Sequence, residues 1–236
     1  MPTNHSPNPE IIRSMFSKVA ANYDKGNNIL SMGVHHLWRK KLVSYSGAKT
    51  GDAVLDCATG TGDLAIEFKK KVGVGAVIGT DFCAEMLIPA PAKAHQHGLD
   101  IKFEQADVTK LQYQDNSFDI SSISFGIRNV SDPVQALREM ARVTKPGGKV
   151  MVLEFGQVQI PVFGPLYNFY SMNILPKLGG LVTGQKDAYE YLQKSSAAFP
   201  CRENFVELMK ESGSFSKMEY ISLTGGIAYI YKGTVK

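Results

Sequence analysis

The chain reads as an α/β fold: a mostly parallel, seven-stranded sheet with helices on both faces, ending in an antiparallel hairpin. Three observations predict this. Strand-like and helix-like runs alternate over residues 53–155, which is the rhythm of βαβ units. A glycine turn, Gly60-Thr-Gly62, joins the first strand-like run to the helix-like pattern that follows it. The stretch Lys217–Lys232 carries two β-rich runs around Gly225-Gly226, the mark of a hairpin.

Each element has a local justification. After a polar start, Pro9–Asp24 places Ile11, Ile12, Met15, Phe16 and Val19 at helical spacing. A second helix is expected from His35 to Ser44, so residues 8–45 form an N-terminal helical segment. Strands are expected at 53–57, 75–80, 101–106, 118–124 and 149–155, and helices at 63–71, 84–96 and 133–144. Pro89 and Pro91 lie inside the 84–96 pattern. Each removes a backbone donor, so that helix should be broken or start late. Val143-Thr-Lys-Pro-Gly-Gly148 stops a helix through its proline and paired glycines. Residues 157–200 form a long aromatic insertion between the fifth strand and the last helix, and insertions of this length usually serve as lids or binding elements. Its Tyr167, Phe169, Tyr170, Tyr189, Tyr191 and Phe199 are read mostly as packing residues. The whole of 1–236 is taken as one domain, with 157–200 as a substrate lid.

Composition sets the bounds. The chain has 236 residues, 44% of them hydrophobic, enough for one α/β core. The net charge of +4 is mild. Basic residues gather at Arg39-Lys-Lys41 and Lys69-Lys-Lys71, which read as solvated helix faces more readily than as lipid or nucleic-acid contacts. Three cysteines, Cys57, Cys83 and Cys201, are widely spaced without a C-x-x-C, so neither a disulfide framework nor a zinc site follows. A reducing, cytoplasmic compartment fits. The start has no apolar signal core, and no run reaches the ~18 apolar residues of a membrane span.

The segment Ala53–Ala65 carries the chemistry. An apolar run ends near Asp56, turns through Gly60, Thr61 and Gly62, and enters a helix at Leu64. Glycine suits a turn that needs unusual φ values or close approach of a ligand. Read as G-x-G-x-x-A, the turn also matches a dinucleotide fingerprint. Two acids favour S-adenosylmethionine (SAM) over NAD. Asp56 precedes the glycines, where a carboxylate suits a cationic methionine group and repels a pyrophosphate. Val77-Ile-Gly-Thr-Asp81 is a second apolar run ending in an acid, and Asp81 is placed to take both ribose hydroxyls.

Further motifs define a family. They are Tyr23-Asp-x-x-Asn27, Ser31-Met-Gly-Val-His-His-Leu-Trp-Arg39, Leu55-Asp-x-Ala-x-Gly-Thr-Gly-Asp63, Ser124-Phe-Gly-Ile-Arg-Asn-Val130, Lys145-Pro-Gly-Gly148, Leu153-Glu-Phe155 and Tyr191-Leu-x-x-Ser195. With these the chain resembles, over nearly its whole length, the ubiquinone/menaquinone biosynthesis C-methyltransferases. The resemblance implies a Rossmann-like class I SAM-dependent methyltransferase fold. It also implies C-methylation of a polyprenylated quinol, with S-adenosylhomocysteine as the other product. Demethylmenaquinol is the favoured acceptor and 2-methoxy-6-polyprenyl-1,4-benzoquinol the second.

Within the resemblance, cofactor contacts map to Thr61, Asp81, Asp107, Val108 and Ser124. Independently, Asp107 follows the apolar run from Ile101 and suits an adenine amino group. Ser124 ends the run from Phe118, at the carboxyl edge where such sheets bind ligands. The resemblance further implies Arg128, Asn129 and Tyr23 around the acceptor's proton. Arginine is a poor base, so Arg128 reads chiefly as a stabiliser of the developing phenolate, with Tyr23 and Asn129 holding a water. The family reading of arginine as a base acting through water stays open. His35 competes as a base, although a lone histidine ahead of Leu37-Trp38 reads as structural. His95 and His97 read as solvated, and no histidine–acid spacing suggests a metal.

A polyprenyl tail implies transient contact with a membrane surface through the N-terminal helix and the insertion. Attachment would be peripheral, at the inner face of the membrane. A homodimer is compatible with this picture. No aromatic–basic platform suggests nucleic acid. Other readings stay open: a methyltransferase for another small molecule or RNA, and a non-catalytic nucleotide-binding protein.

Overall fold

A computed structural model describes residues 7–158, 160–161, 163–173, 180 and 184–236. The polar start over residues 1–6 and parts of the 157–200 insertion lie outside the described residues.

Seven strands form one sheet in the order β3-β2-β1-β4-β5-β7-β6. The strands are β1 (Val54–Cys57), β2 (Val77–Asp81), β3 (Lys102–Gln105), β4 (Phe118–Ser124), β5 (Thr144–Phe155), β6 (Phe215–Leu223) and β7 (Ala228–Val235). β1 to β5 run parallel. β7 is antiparallel to both β5 and β6. The expected class therefore holds, hairpin included. The hairpin turns at Thr224–Gly226, where Gly225 (φ 68°) and Gly226 (φ 93°) take conformations closed to most side chains.

Period-two alternation divides the core between the two faces. On β5, Val150 and Val152 face one cluster with Leu137, Met140 and Phe205, while Met151 and Leu153 face the other with Leu42, Leu64 and Phe68. Each fully buried side chain of this kind contributes about 1.5–3 kcal/mol. One face is thus covered by α3 (Val34–Ser46) and α4 (Asp63–Val72). The other is covered by α7 (Pro133–Val143) and the helix Glu203–Glu211. β1 is buried along its whole length, as expected of a central parallel strand.

Three details differ from expectation or refine it. The helix expected over 9–24 is α1 (Pro9–Val19), a 3₁₀ turn over Ala20–Asn22, and α2 (Tyr23–Leu30). The helix expected over 84–96 is broken by its prolines into α5 (Ala84–Leu87) and α6 (Ala90–Gln96), as the missing donors require. β5 starts at Thr144 rather than 149. Phe118 pairs with Thr144 but Ile120 pairs with Lys149, so Pro146-Gly147-Gly148 bulges out of the ladder. Within the insertion, α8 spans Phe163–Asn173 and a further helix spans Lys186–Ala198. No helix among the described residues is long and apolar enough to cross a membrane.

Candidate active site

The carboxyl ends of β1 and β4 lie side by side and both lead into strained loops. Ala58 (φ 47°) follows β1 and Phe125 (φ 57°) follows β4, each in a left-handed conformation unusual for a residue with a side chain. The loops pack closely: a Cβ on Gly126 would stand 2.5 Å from that of Ala58. Two cavities open around this crossing.

The first cavity, about 870 Å³ including its mouth, lies over the strand ends. Gly60, Asp81, Asp107, Val108 and Ser124 line it, together with Tyr23 and Asn129. Helix α1 roofs it through Pro9, Ile12, Arg13 and Phe16. The backbone N–H groups of Gly60 and Cys83 donate to the two Asp81 oxygens at 2.9 Å each. Burial nevertheless raises the Asp81 carboxyl to about 6. Asp107 Oδ1 accepts from Thr109 N–H and Oγ1. Two carboxylates on this wall, with Arg13 paired to Glu85 at the rim, suit a cationic ligand carrying hydroxyl and amino donors. That is the chemistry of SAM, and the residues present fit it.

Asp56, Thr61 and Gly62 do not line this cavity. Asp56 is 1% exposed and accepts from Thr59 Oγ1 (2.6 Å) and Ser122 Oγ (2.7 Å). It braces the glycine turn from below, and burial raises its carboxyl to about 6. Thr61 Oγ1 donates to Asp24. Gly62 lies under Phe103, where an added Cβ would come within 2.9 Å of the ring.

The second cavity, about 980 Å³ including its mouth, lies between α1, α2, α3 and the insertion. Its wall is aromatic: Trp38, Phe155, Tyr167, Tyr170, Tyr189 and Tyr191. Phe16, Tyr23 and Phe125 line both cavities and form the partition between them. Arg128 lines only the second. Its Nη1 donates to Glu154 Oε1 (2.8 Å) and to the Phe125 carbonyl (2.6 Å), and its Cζ stands 5.4 Å from the Phe155 ring centre. Its Nε is buried without a partner among the described residues. Asn129 Oδ1 accepts from the Tyr191 hydroxyl at 3.1 Å. Burial raises the Tyr23 phenol, so it stays a neutral donor.

His35 also lines the second cavity, but both its ring nitrogens are engaged. Arg39 Nη1 can only donate, so Nδ1 accepts from it, and Nε2 carries the hydrogen given to Asn28 Oδ1 at 2.9 Å. Burial and then Arg39 hold this imidazole down to about 3. His35 has no lone pair left to act as a base here. The fold also does what sequence spacing did not suggest: ligand atoms of His35, His36 and Asp63 come within 4.8 Å of one another. Arg39 pairs with His35 and Asp63, and Lys93 pairs with Asp63 and Asp24. Cations thus serve His35 and Asp63, while His36 Nε2 bonds Asn28 Oδ1 at 2.7 Å.

Two contacts escaped the sequence reading. Glu154 had a usable signal, since a single acid in the apolar run Val150–Phe155 needs a buried partner. The Tyr191–Asn129 bond had none, because it joins residues far apart in the chain.

The chain has relatives among known proteins and solved structures. A family model described as the ubiE/COQ5 methyltransferase family matches residues 4–235. The chain is 85% identical over 234 residues to the ubiquinone/menaquinone biosynthesis C-methyltransferase UbiE of Bdellovibrio bacteriovorus, covering 99% of this chain and 100% of that relative. It is 39% identical to the enzyme of that name from Idiomarina loihiensis, covering 94% and 90% of the two chains. Among solved structures, a SAM-dependent methyltransferase of Thermotoga maritima matches with a TM-score of 0.67 at 19% identity, over 94% of this chain and 99% of that one.

Proposed function

The chain belongs to the ubiE/COQ5 methyltransferase family, and from that premise we propose that it methylates a ring carbon of a polyprenyl quinol held in the aromatic cavity. It is a SAM-dependent C-methyltransferase of quinone biosynthesis. The observation that carries the finer reading is the pair of unlike cavities, one acidic and one aromatic, sharing Phe16, Tyr23 and Phe125 as their partition.

Bound SAM supplies an electrophilic methyl on a sulfonium. Asp81 would take the ribose hydroxyls and Asp107 the adenine amino group, beside Val108, Gly60 and Ser124. The residues of the second cavity prepare the nucleophile. The ring becomes nucleophilic when a neighbouring hydroxyl gives up its proton. Arg128 supports the oxygen that gains charge. Tyr23 donates from the partition. Asn129 opens on the first cavity rather than this one; with its carbonyl used by Tyr191, its N–H groups would hold, from that side, a water that takes the hydroxyl's proton. The aromatic wall excludes bulk solvent and strengthens each of these contacts.

The acceptor we favour is demethylmenaquinol, on overall similarity, and residues 157–200 act as its lid. Contact with a membrane surface follows from the tail. Exposed Ile29, Met32, Leu37, Phe169 and Met172 support it. Leu30, Ser31 and Tyr170 of the cavity wall lie beside them in the chain. Exposed Lys40 and Lys41 share the helix face of Leu37. Co-sedimentation with anionic vesicles at low salt tests this, and protein left wholly in the supernatant would refute it. The reaction itself is tested with methyl-labelled SAM and each quinol dispersed in detergent under reducing conditions. Label in demethylmenaquinol supports the favoured acceptor; label in neither overturns the quinol assignment.

A further inference from the structure

Arg128 and Glu154 form an ion pair that is nearly closed to solvent, with side chains 5% and 2% exposed. Glu154 Oε1 also accepts from Phe155 N–H at 2.8 Å, so the carboxylate is itself fixed. Nη1 of Arg128 is held by two acceptors and its plane lies near the Phe155 ring. A planar guanidinium held in this way cannot swing. Its buried Nε–H is left over, in a side chain that lines the acceptor cavity. That nitrogen is closed to solvent, so the acceptor's oxygen would meet the part of the guanidinium that lines the cavity, with the Glu154 pair fixing its direction.

We propose that Glu154 is a positioning residue: it aims Arg128 at the ring oxygen of the acceptor, and its charge sets how readily that oxygen ionises. The inference rests on the quinol reading above. Paired with Glu154, Arg128 is a hydrogen-bond donor with little net field. Without that negative charge it is a bare cation, which draws the proton off a nearby phenol at lower pH. A phenolate stabilised too strongly in the ground state is also a weaker nucleophile, so the pair balances ionisation against reactivity. The other groups around the pair do not carry the effect. Tyr23 of α2, Tyr191 of the insertion and Tyr231 of β7 are within electrostatic reach of it. Burial raises all three phenols, so they stay neutral. Arg39 of α3 is matched by Asp63.

The test uses 1-naphthol, a redox-stable phenol whose ionisation is read by absorbance, bound to the full-length protein. In E154Q its ionisation midpoint should fall by about one pH unit relative to the unsubstituted protein. In E154D, which keeps the charge, the midpoint should stay, while methyl transfer drops about tenfold because the shorter carboxylate misplaces the guanidinium. Equal midpoints in E154Q and E154D overturn the charge role, and E154D with full turnover overturns the positioning role. If E154Q has lost SAM affinity and so has not folded, E154D decides both roles: a midpoint that moves in E154D overturns the charge role, and full turnover overturns the positioning role. Failure of the unsubstituted protein to bind 1-naphthol, or to methylate either quinol, would instead strike the quinol reading and remove the inference with it.

Discussion

The cavity over the strand ends and the cavity beneath the N-terminal helices have similar volumes, about 870 and 980 Å³, yet they are made differently. The first is shaped largely by backbone. Its polar groups stand where strands stop, and its key carboxylate is fixed by two main-chain N–H groups. The second is shaped by side chains from segments far apart in the chain, and among the described residues its guanidinium, Arg128, is held by Glu154 of β5. A backbone site can be placed by a short motif, because the motif is the geometry. A side-chain site exists only after the segments have come together.

That difference can be tested by damaging one cavity and watching the other. The largest effect is expected from Arg128→Ala. Methyl transfer should fall on the order of a hundred- to a thousandfold or vanish, while SAM affinity measured by calorimetry stays within about twofold, since Arg128 does not line the first cavity. Loss of SAM binding in this variant would break the division. Asp81→Ala should act on the other side. SAM binding should weaken by a few kcal/mol at most, as for charged hydrogen bonds. Unchanged affinity would remove Asp81 from the ribose.

The third effect is a pH dependence. Burial raises Asp81 to about 6, so the carboxylate that accepts hydroxyl donors is present above that pH and is lost as pH falls through it. SAM affinity should therefore drop about tenfold between pH 7.5 and pH 5. Asp81→Asn should flatten the dependence; a slope retained in that variant would assign it to Asp56, which also titrates near 6. The smallest effect is expected from Tyr191→Phe, which cuts the bond to Asn129. Turnover should fall about two- to fivefold with SAM affinity unchanged. A larger loss in SAM binding than in turnover would mean that the insertion serves the first cavity as well.

The same contrast explains what could be read from the chain. The strand–turn–helix around Gly60 was legible because its signals, an apolar run, paired glycines and a helical pattern, are local, although Asp81 of β2 also holds the Gly60 N–H. So was the break at Pro89 and Pro91, since a missing donor acts where it sits. The position of Asp56 was not. Whether a strand-end acid faces a ligand or the interior depends on its neighbours, and here Ser122 arrives from β4 to hold it. The state of His35 was illegible for the same reason, because Asn28 and Arg39 fix its hydrogens. The 3₁₀ turn at Ala20–Asn22 has no glycine or proline to announce it. The bulge at Pro146–Gly148 was visible as a stop signal, but the pairing of Thr144 with Phe118 beyond it was not.

The shared partition has a consequence for how this protein can change over generations. Phe16, Tyr23 and Phe125 answer to two chambers at once, and Phe125 also sits in a backbone conformation that few residues adopt easily. A lineage drifting toward a bulkier or smaller ring can exchange Val19, Leu30 or Leu192 singly, because these touch only the acceptor side. It cannot treat the partition that way, since each step there would disturb donor and acceptor together. New specificities should therefore accumulate on the outer wall first, with the three partition residues the last to move.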